Sequence, residues 1–166
     1  MEKKKICLVG AFAVGKTSLV RRYVSGVFSE EYLTTAGVKI DQKTVELEGG
    51  PVRLLVWDLA GSDDFARVEK SYLNGSSGFL FVANGTRPES VDVVLEDAAR
   101  ILVDHPGAVS FFLVNKADLA EEWALSEERL ADLERQFPVF RTSALSGEGV
   151  EEAFVELARR IVSGEA

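Results

Sequence analysis

Gly10-Ala11-Phe12-Ala13-Val14-Gly15-Lys16-Thr17 sets two glycines, a lysine and a hydroxyl in the pattern Gly-x-x-x-x-Gly-Lys-Thr. An apolar run precedes it and a helical pattern follows, the context in which such a loop holds phosphates. Glycines let the backbone wrap closely so that successive N–H groups point inward, and the helix N-terminus adds partial positive charge. Lys16 would reach the outer phosphates, the Thr17 hydroxyl would ligate magnesium, and Ala13, Val14, Gly15 and Ser18 would complete the cradle. An ordinary glycine-rich turn is the plainer alternative, and the flanking runs weigh against it.

A second pattern, Leu54-Leu55-Val56-Trp57-Asp58-Leu59-Ala60-Gly61, ends an apolar strand in a carboxylate, which delivers Asp58 to a magnesium ion. Gly61 has no Cβ to block its N–H from a γ-phosphate. Such a strand end is common by itself and gains its meaning beside the phosphate loop. A third, Asn115-Lys116-Ala117-Asp118, follows the apolar run Phe111-Phe112-Leu113-Val114. A carboxylate there can accept two parallel hydrogen bonds from guanine N1–H and N2–H₂. Adenine lacks both donors and would leave Asp118 unpaired, so the pattern selects guanine. Farther on, Thr142-Ser143-Ala144 stands where a backbone N–H would meet guanine O6.

Positioning these groups requires strands whose ends meet, and the chain alternates short apolar runs with helical patterns as an α/β domain does. Strands are expected over residues 4–9, 38–48, 52–58, 78–84, 109–114 and 139–142. Gly49-Gly50-Pro51 reads as a tight hairpin that makes its two strands antiparallel. Helices are expected over 15–24, 64–73, 88–104, 126–136 and 149–163. Ser126 is placed as an N-cap, and Val150, Phe154, Leu157 and Ile161 form one apolar stripe on the last helix. No repeat or linker interrupts residues 1–166, which read as one domain.

Composition narrows the class. Apolar residues make up 46% of 166, enough for a buried core, and the formal net charge of −8 argues against nucleic-acid partners and anionic membranes. Lys3-Lys4-Lys5 reads as a solvated terminus. The single cysteine, Cys7, sits in an apolar run and reads as a buried, inert thiol. Neither a signal peptide nor a lipidation motif is seen, so a cytoplasmic, monomeric protein without a lipid anchor is expected. His105 reads as a helix C-terminal cap and Trp57 as core, while Trp123 has no evident task.

Together the motifs resemble those of the Ras/Rab-type small GTPases over residues 4–161, down to Gly149-Val150-Glu151-Glu152-Ala153-Phe154, which resembles the start of that family's last helix. The resemblance implies a P-loop NTPase G domain of the α/β class: a six-stranded, mostly parallel sheet with one antiparallel strand and helices on both faces. It implies a switch that hydrolyses GTP to GDP and phosphate, with Mg2+ as cofactor and GTP or GDP as ligand. Effector, exchange-factor and activating proteins would bind through switch segments over 28–38 and 58–72. By resemblance, Phe28 packs against guanine, Thr35 of Thr35-Ala36-Gly37 joins Thr17 and Asp58 on the metal, and Asn115, Lys116, Asp118, Ser143, Ala144 and Leu145 surround the base. Thr34 competes for the metal role, but Gly37 sets the register on Thr35. Catalytic roles fall to Lys16, Thr35, Gly61 and Ser62.

Three positions depart from the family. Ser62 stands where glutamine usually orients the attacking water, and it is too short to do so, which predicts slow hydrolysis. Phe12 replaces a common glycine beside the γ-phosphate, either screening an arginine finger or folding onto the surface. Leu145 replaces a lysine that stacks on the base. The runner-up reading is therefore a GTP-binding interaction module with negligible hydrolysis. A small-molecule kinase would share the phosphate loop, but it leaves Asn115-Lys116-Ala117-Asp118 unexplained.

Overall fold

The computed structural model describes residues 1–11, 14–24, 38–59 and 70–165, and residues 32–33 by their backbone. Among the described residues, seven strands form one sheet in the order β2-β3-β4-β1-β5-β6-β7. These are β1 (Glu2–Val9), β2 (Tyr32–Leu33), β3 (Val38–Leu47), β4 (Gly50–Leu59), β5 (Ser76–Asn84), β6 (Val109–Asn115) and β7 (Val139–Arg141). The helices are α1 (Lys16–Val24), α2 (Lys70–Leu73), α3 (Glu89–Asp104), α4 (Glu127–Glu134) and α5 (Val150–Ser163). All six expected strands are present, and the two-residue β2 extends the β3 edge. β3 alone runs against the rest, pairing antiparallel with both β2 and β4, whereas β4, β1, β5, β6 and β7 are mutually parallel.

The β3–β4 hairpin turns one residue earlier than its glycines suggest. Leu47 pairs with Gly50, so Glu48 and Gly49 make the turn and Pro51 already lies in β4, opposite Glu46. The positive φ of +119° falls on Gly50, the residue just after the turn, and not on Glu48 or Gly49, so the loop is not a primed two-residue turn. Of the expected 64–73 helix, α2 is the part within the described residues.

The second half of β1 and most of β5 and β6 are buried on both faces, and two apolar layers flank the sheet. One gathers α1 and α5, where Tyr23 stacks on Phe154 with ring centroids 4.1 Å apart, over Ile6, Leu8, Val56, Leu80 and Leu113. The other gathers α3 and α4 over Cys7, Val9, Phe79, Phe81, Phe112 and Val114. The 3.6-residue spacing of α5 buries Val150, Phe154 and Leu157 and leaves Ile161 partly buried. Ser126 caps α4 by accepting the Arg129 N–H at 3.1 Å. Among the described residues, no helix is long and apolar enough to cross a membrane.

Of two single residues, Lys5 reads differently in three dimensions and His105 as expected. Lys5 is no solvated terminus: it belongs to β1, and its ammonium donates to the carbonyls of Tyr72 (2.5 Å) and Asn74 (2.8 Å) while lying 3.7 Å from the Trp57 ring centroid. His105 caps α3 through its backbone N–H, which donates to Ile101 O at 3.1 Å, while its ring meets Phe79 edge-on. Cys7 is fully buried and free, and burial pushes its thiol pKa up, as an inert thiol requires.

Candidate functional site

Parallel strands deliver their C-terminal ends to one edge of the sheet, and the described residues of the phosphate-loop, Asp58 and 115–118 patterns lie there. β1 runs into the phosphate loop, β4 ends beside Asp58, and β6 runs into residues 115–118. A cavity of about 550 Å³ opens along this edge, lined by Gly15, Ser18, Arg21 and Arg22 from one side and by Asn115, Lys116, Asp118, Leu119, Ala144 and Leu145 from the other.

The phosphate loop leads into α1 with Lys16 folded back over it. The Lys16 ammonium donates to Gly10 O at 2.6 Å and to Ala11 O at 3.5 Å and is only 6% exposed. Burial lowers its pKa, against the opposing pull of the Asp58 and Asp97 charges. Thr17 Oγ1 donates to Asp58 Oδ2 at 2.6 Å, so the hydroxyl from α1 and the carboxylate from β4 already stand together. Burial raises the Asp58 pKa, opposed by the Thr17 hydrogen bond and by the Lys16 and Lys39 charges. Close packing explains two glycines. A Cβ on Gly10 would stand 2.4 Å from Val82 O, and one on Gly15, whose φ is +98°, would stand 2.3 Å from Asn115 Nδ2.

Asn115 joins the two halves of the cavity. Its Nδ2 donates to Val14 O in the phosphate loop at 3.0 Å, across 101 residues of chain, and its Oδ1 accepts from Thr142 Oγ1 at 3.1 Å. Lys116 adopts left-handed backbone, φ +69°, as the chain turns off β6. Asp118 Oδ1 accepts from Ser143 Oγ at 2.7 Å, and the same hydroxyl oxygen accepts the Ser146 N–H at 3.0 Å. The Asp118 carboxylate is thus oriented by a loop that follows β7.

Of the residues singled out in the sequence, the structure brings Val14, Gly15, Lys16, Thr17, Ser18 and Asp58 to one end, and Asn115, Lys116, Asp118, Ser143, Ala144 and Leu145 to the other. Leu145 lines the cavity but is 78% exposed, so little of its side chain is sheltered. Phe12, Ala13, Phe28, Thr34, Thr35, Gly37, Gly61 and Ser62 lie outside the described residues, as do most of both proposed switch segments.

Sequence reasoning missed Arg21 and Arg22. Their signal was spacing: three and four residues beyond Ser18, they share its helix face and so face the same cavity.

A model of the Ras family matches residues 5–163. The chain is 35% identical over 164 residues to GTP-binding protein YPT1 of Saccharomyces cerevisiae, spanning 95% of this chain and 78% of that protein. It is 33% identical over 163 residues to Ras-related protein Rab-8 of Diplobatis ommata, spanning 96% and 77%. To Ras-related protein Rab-13 of Canis lupus familiaris it is 32% identical over 161 residues, spanning 95% and 79%.

Proposed function

We propose a nucleotide-operated switch for this chain, which belongs to the Ras family of small GTPases. As one G domain over residues 1–166, in the cytoplasm, it binds GTP and GDP with magnesium, hydrolyses GTP slowly and signals its state through residues 28–38 and 58–72. Effector, exchange-factor and activating proteins would read those segments.

The observation that carries this reading is the hydrogen bond from Asn115 Nδ2 to Val14 O, which ties the guanine-type motif to the phosphate loop around one cavity. The residues present fit a magnesium nucleotide. Asp58 and Thr17 are hard oxygen donors in contact with each other, and a buried carboxylate of raised pKa gains from a cation placed beside it. Bound magnesium would neutralise phosphate charge and orient the terminal phosphoryl group, held by Thr17, Asp58 and, in the GTP form, Thr35.

The chain's own groups do the rest. Lys16, positioned over the loop by Gly10 O, would place its ammonium against the outer phosphates. Backbone N–H groups of residues 13–18, with the α1 N-terminus behind them, would cradle the inner phosphates. Asp118, oriented by Ser143, would accept the guanine N1–H and N2–H₂. Gly61 would offer its N–H to the γ-phosphate. Ser62 cannot hold the attacking water as glutamine does, so the chemical step is slow and open to acceleration by a partner.

Binding comes first: GTP and GDP should bind far more tightly than ATP, and Asp118→Asn should weaken guanine binding on the order of 10–100-fold by removing a charged acceptor. Equal affinity for ATP would overturn the proposal. A single turnover of pre-bound GTP then separates a slow GTPase from a GTP-binding interaction module. Conversion within hours that is accelerated by Ser62→Gln supports the former, and GTP persisting for days supports the latter.

A further inference from the structure

The base-reading loop is latched to the phosphate-loop helix by an arginine. Arg22, in the last turn of α1, donates from Nη2 to Ser146 O at 3.0 Å, across 124 residues. Its guanidinium lies along Gly147: a Cβ there would fall 2.6 Å from Nη2 and 2.9 Å from Nε, and the φ of +88° lets the chain turn beneath it. From Ser146 the contacts continue inward. The Ser146 N–H donates to Ser143 Oγ (3.0 Å), Gly147 N–H donates to Ser143 O (2.8 Å), and Ser143 Oγ donates to Asp118 Oδ1 (2.7 Å).

We propose that Arg22 is a positioning residue for base recognition, holding the 143–147 loop so that Ser143 keeps the Asp118 carboxylate in register with guanine. The inference rests on the nucleotide-binding reading above. Leu145, 78% exposed, offers the base neither charge nor side-chain hydrogen bond, and Arg22 adds a tie from α1 to the internal hydrogen bonds of its loop. A chain of hydrogen bonds with polarised members transmits orientation better than its separate links. An ordinary favourable charge at a helix C-terminus would explain Arg22 on α1 alone. That explanation does not require a planar group against a positive-φ glycine of another loop, and this contact separates the two.

The test measures affinity and release rate for GDP, IDP and ADP on the full chain, in wild type, Arg22→Ala and Arg22→Lys. IDP lacks the N2 amine and so draws on only one of the two Asp118 hydrogen bonds. Arg22→Ala should release GDP about tenfold faster, the value of one charge-assisted hydrogen bond, while IDP is affected less and the GDP-over-IDP preference shrinks. Arg22→Lys keeps the helix-end charge but not the planar contact and should recover only part of the loss. An unchanged GDP/IDP ratio in Arg22→Ala would overturn the proposal, whether release is unaltered or all three nucleotides weaken equally. Full recovery in Arg22→Lys would also overturn it. A wild-type protein that binds GDP no better than ADP would instead remove the nucleotide-binding reading and this one with it.

Discussion

Gly15 carries two constraints at once, a φ of +98° and an Asn115 amide standing 2.3 Å from where a Cβ would be. Gly15→Ala should therefore both strain the backbone, by about 1–3 kcal/mol, and push Asn115 off Val14 O. Guanine-nucleotide affinity and melting temperature should fall together in calorimetry and thermal scans. A variant with unchanged affinity would show that the Asn115 bridge does not matter for binding. Residues of this kind were legible in the sequence because the chemistry is local: Gly15, Lys16 and Thr17 are adjacent, and Asn115 and Asp118 are three apart. Arg22, the Thr142–Asn115 bond and the Ser143–Ser146 contact were not, because their meaning comes from partners 27 to 124 positions away or from a loop with no periodic signal.

Elements were legible wherever a run had a period. α5 shows this through its apolar stripe, and β5 through an unbroken apolar run buried along its length. The misses have physical causes. β2 is two residues long, too short to show alternation, and exists by pairing with Ile40 and Lys39. The hairpin shifted because the glycine pair does not sit in the turn: Gly50, with the positive φ, already pairs with Leu47, and Pro51 pairs with Glu46. Lys5 misled because a lysine run looks solvated, although the third member finds two carbonyls and an indole face.

On the outer face of α5, Glu156 accepts from Arg159 Nε (2.9 Å) and Nη2 (2.7 Å) and from Arg160 Nε (3.0 Å). These hydrogen bonds hold its carboxyl at about 2, below the usual 4.5. A depressed carboxylate pKa gives stability that is present above pH 4.5 and lost as pH falls towards 2. Glu156→Gln should thus melt slightly below wild type at neutral pH, and the gap should close in acid. The pairs are surface-exposed, so the neutral-pH difference will be small. A gap that persists at pH 2 would assign the effect to packing instead.

For the molecule as a whole, the two apolar layers meet one sheet whose strand ends also build the cavity, so folding and ligand binding share the same elements. A ligand that binds only the folded chain stabilises it by mass action. GDP at a hundredfold excess over its Kd should add about 2.7 kcal/mol, and at 2–4 °C per kcal/mol for a chain of this size the melting point should rise by roughly 5–10 °C. ADP at the same concentration should leave it unchanged. Equal shifts would contradict guanine selectivity at the level of the folded ensemble. The overall architecture was legible because alternating strands and helices admit few right-handed solutions. The shape of the cavity was not, since it is set by side chains converging from α1, β6 and the loop after β7.

The two tryptophans have a use that follows from where they sit. Trp57 adjoins Asp58 in β4 but, by the alternation of the strand, faces the other side of the sheet, under the Lys5 ammonium. Trp123 covers Gly85, whose N–H donates to Asn115 O, and Arg141 lies over its ring. Indole emission responds to nearby charge and packing, so single Trp→Phe variants give the protein two separate optical channels. One watches the strand beside Asp58 and the other the turn behind Asn115, without any attached dye. Changes in the β4 end that carries Asp58 and in the loop behind Asn115 can therefore be followed separately in the protein's own fluorescence.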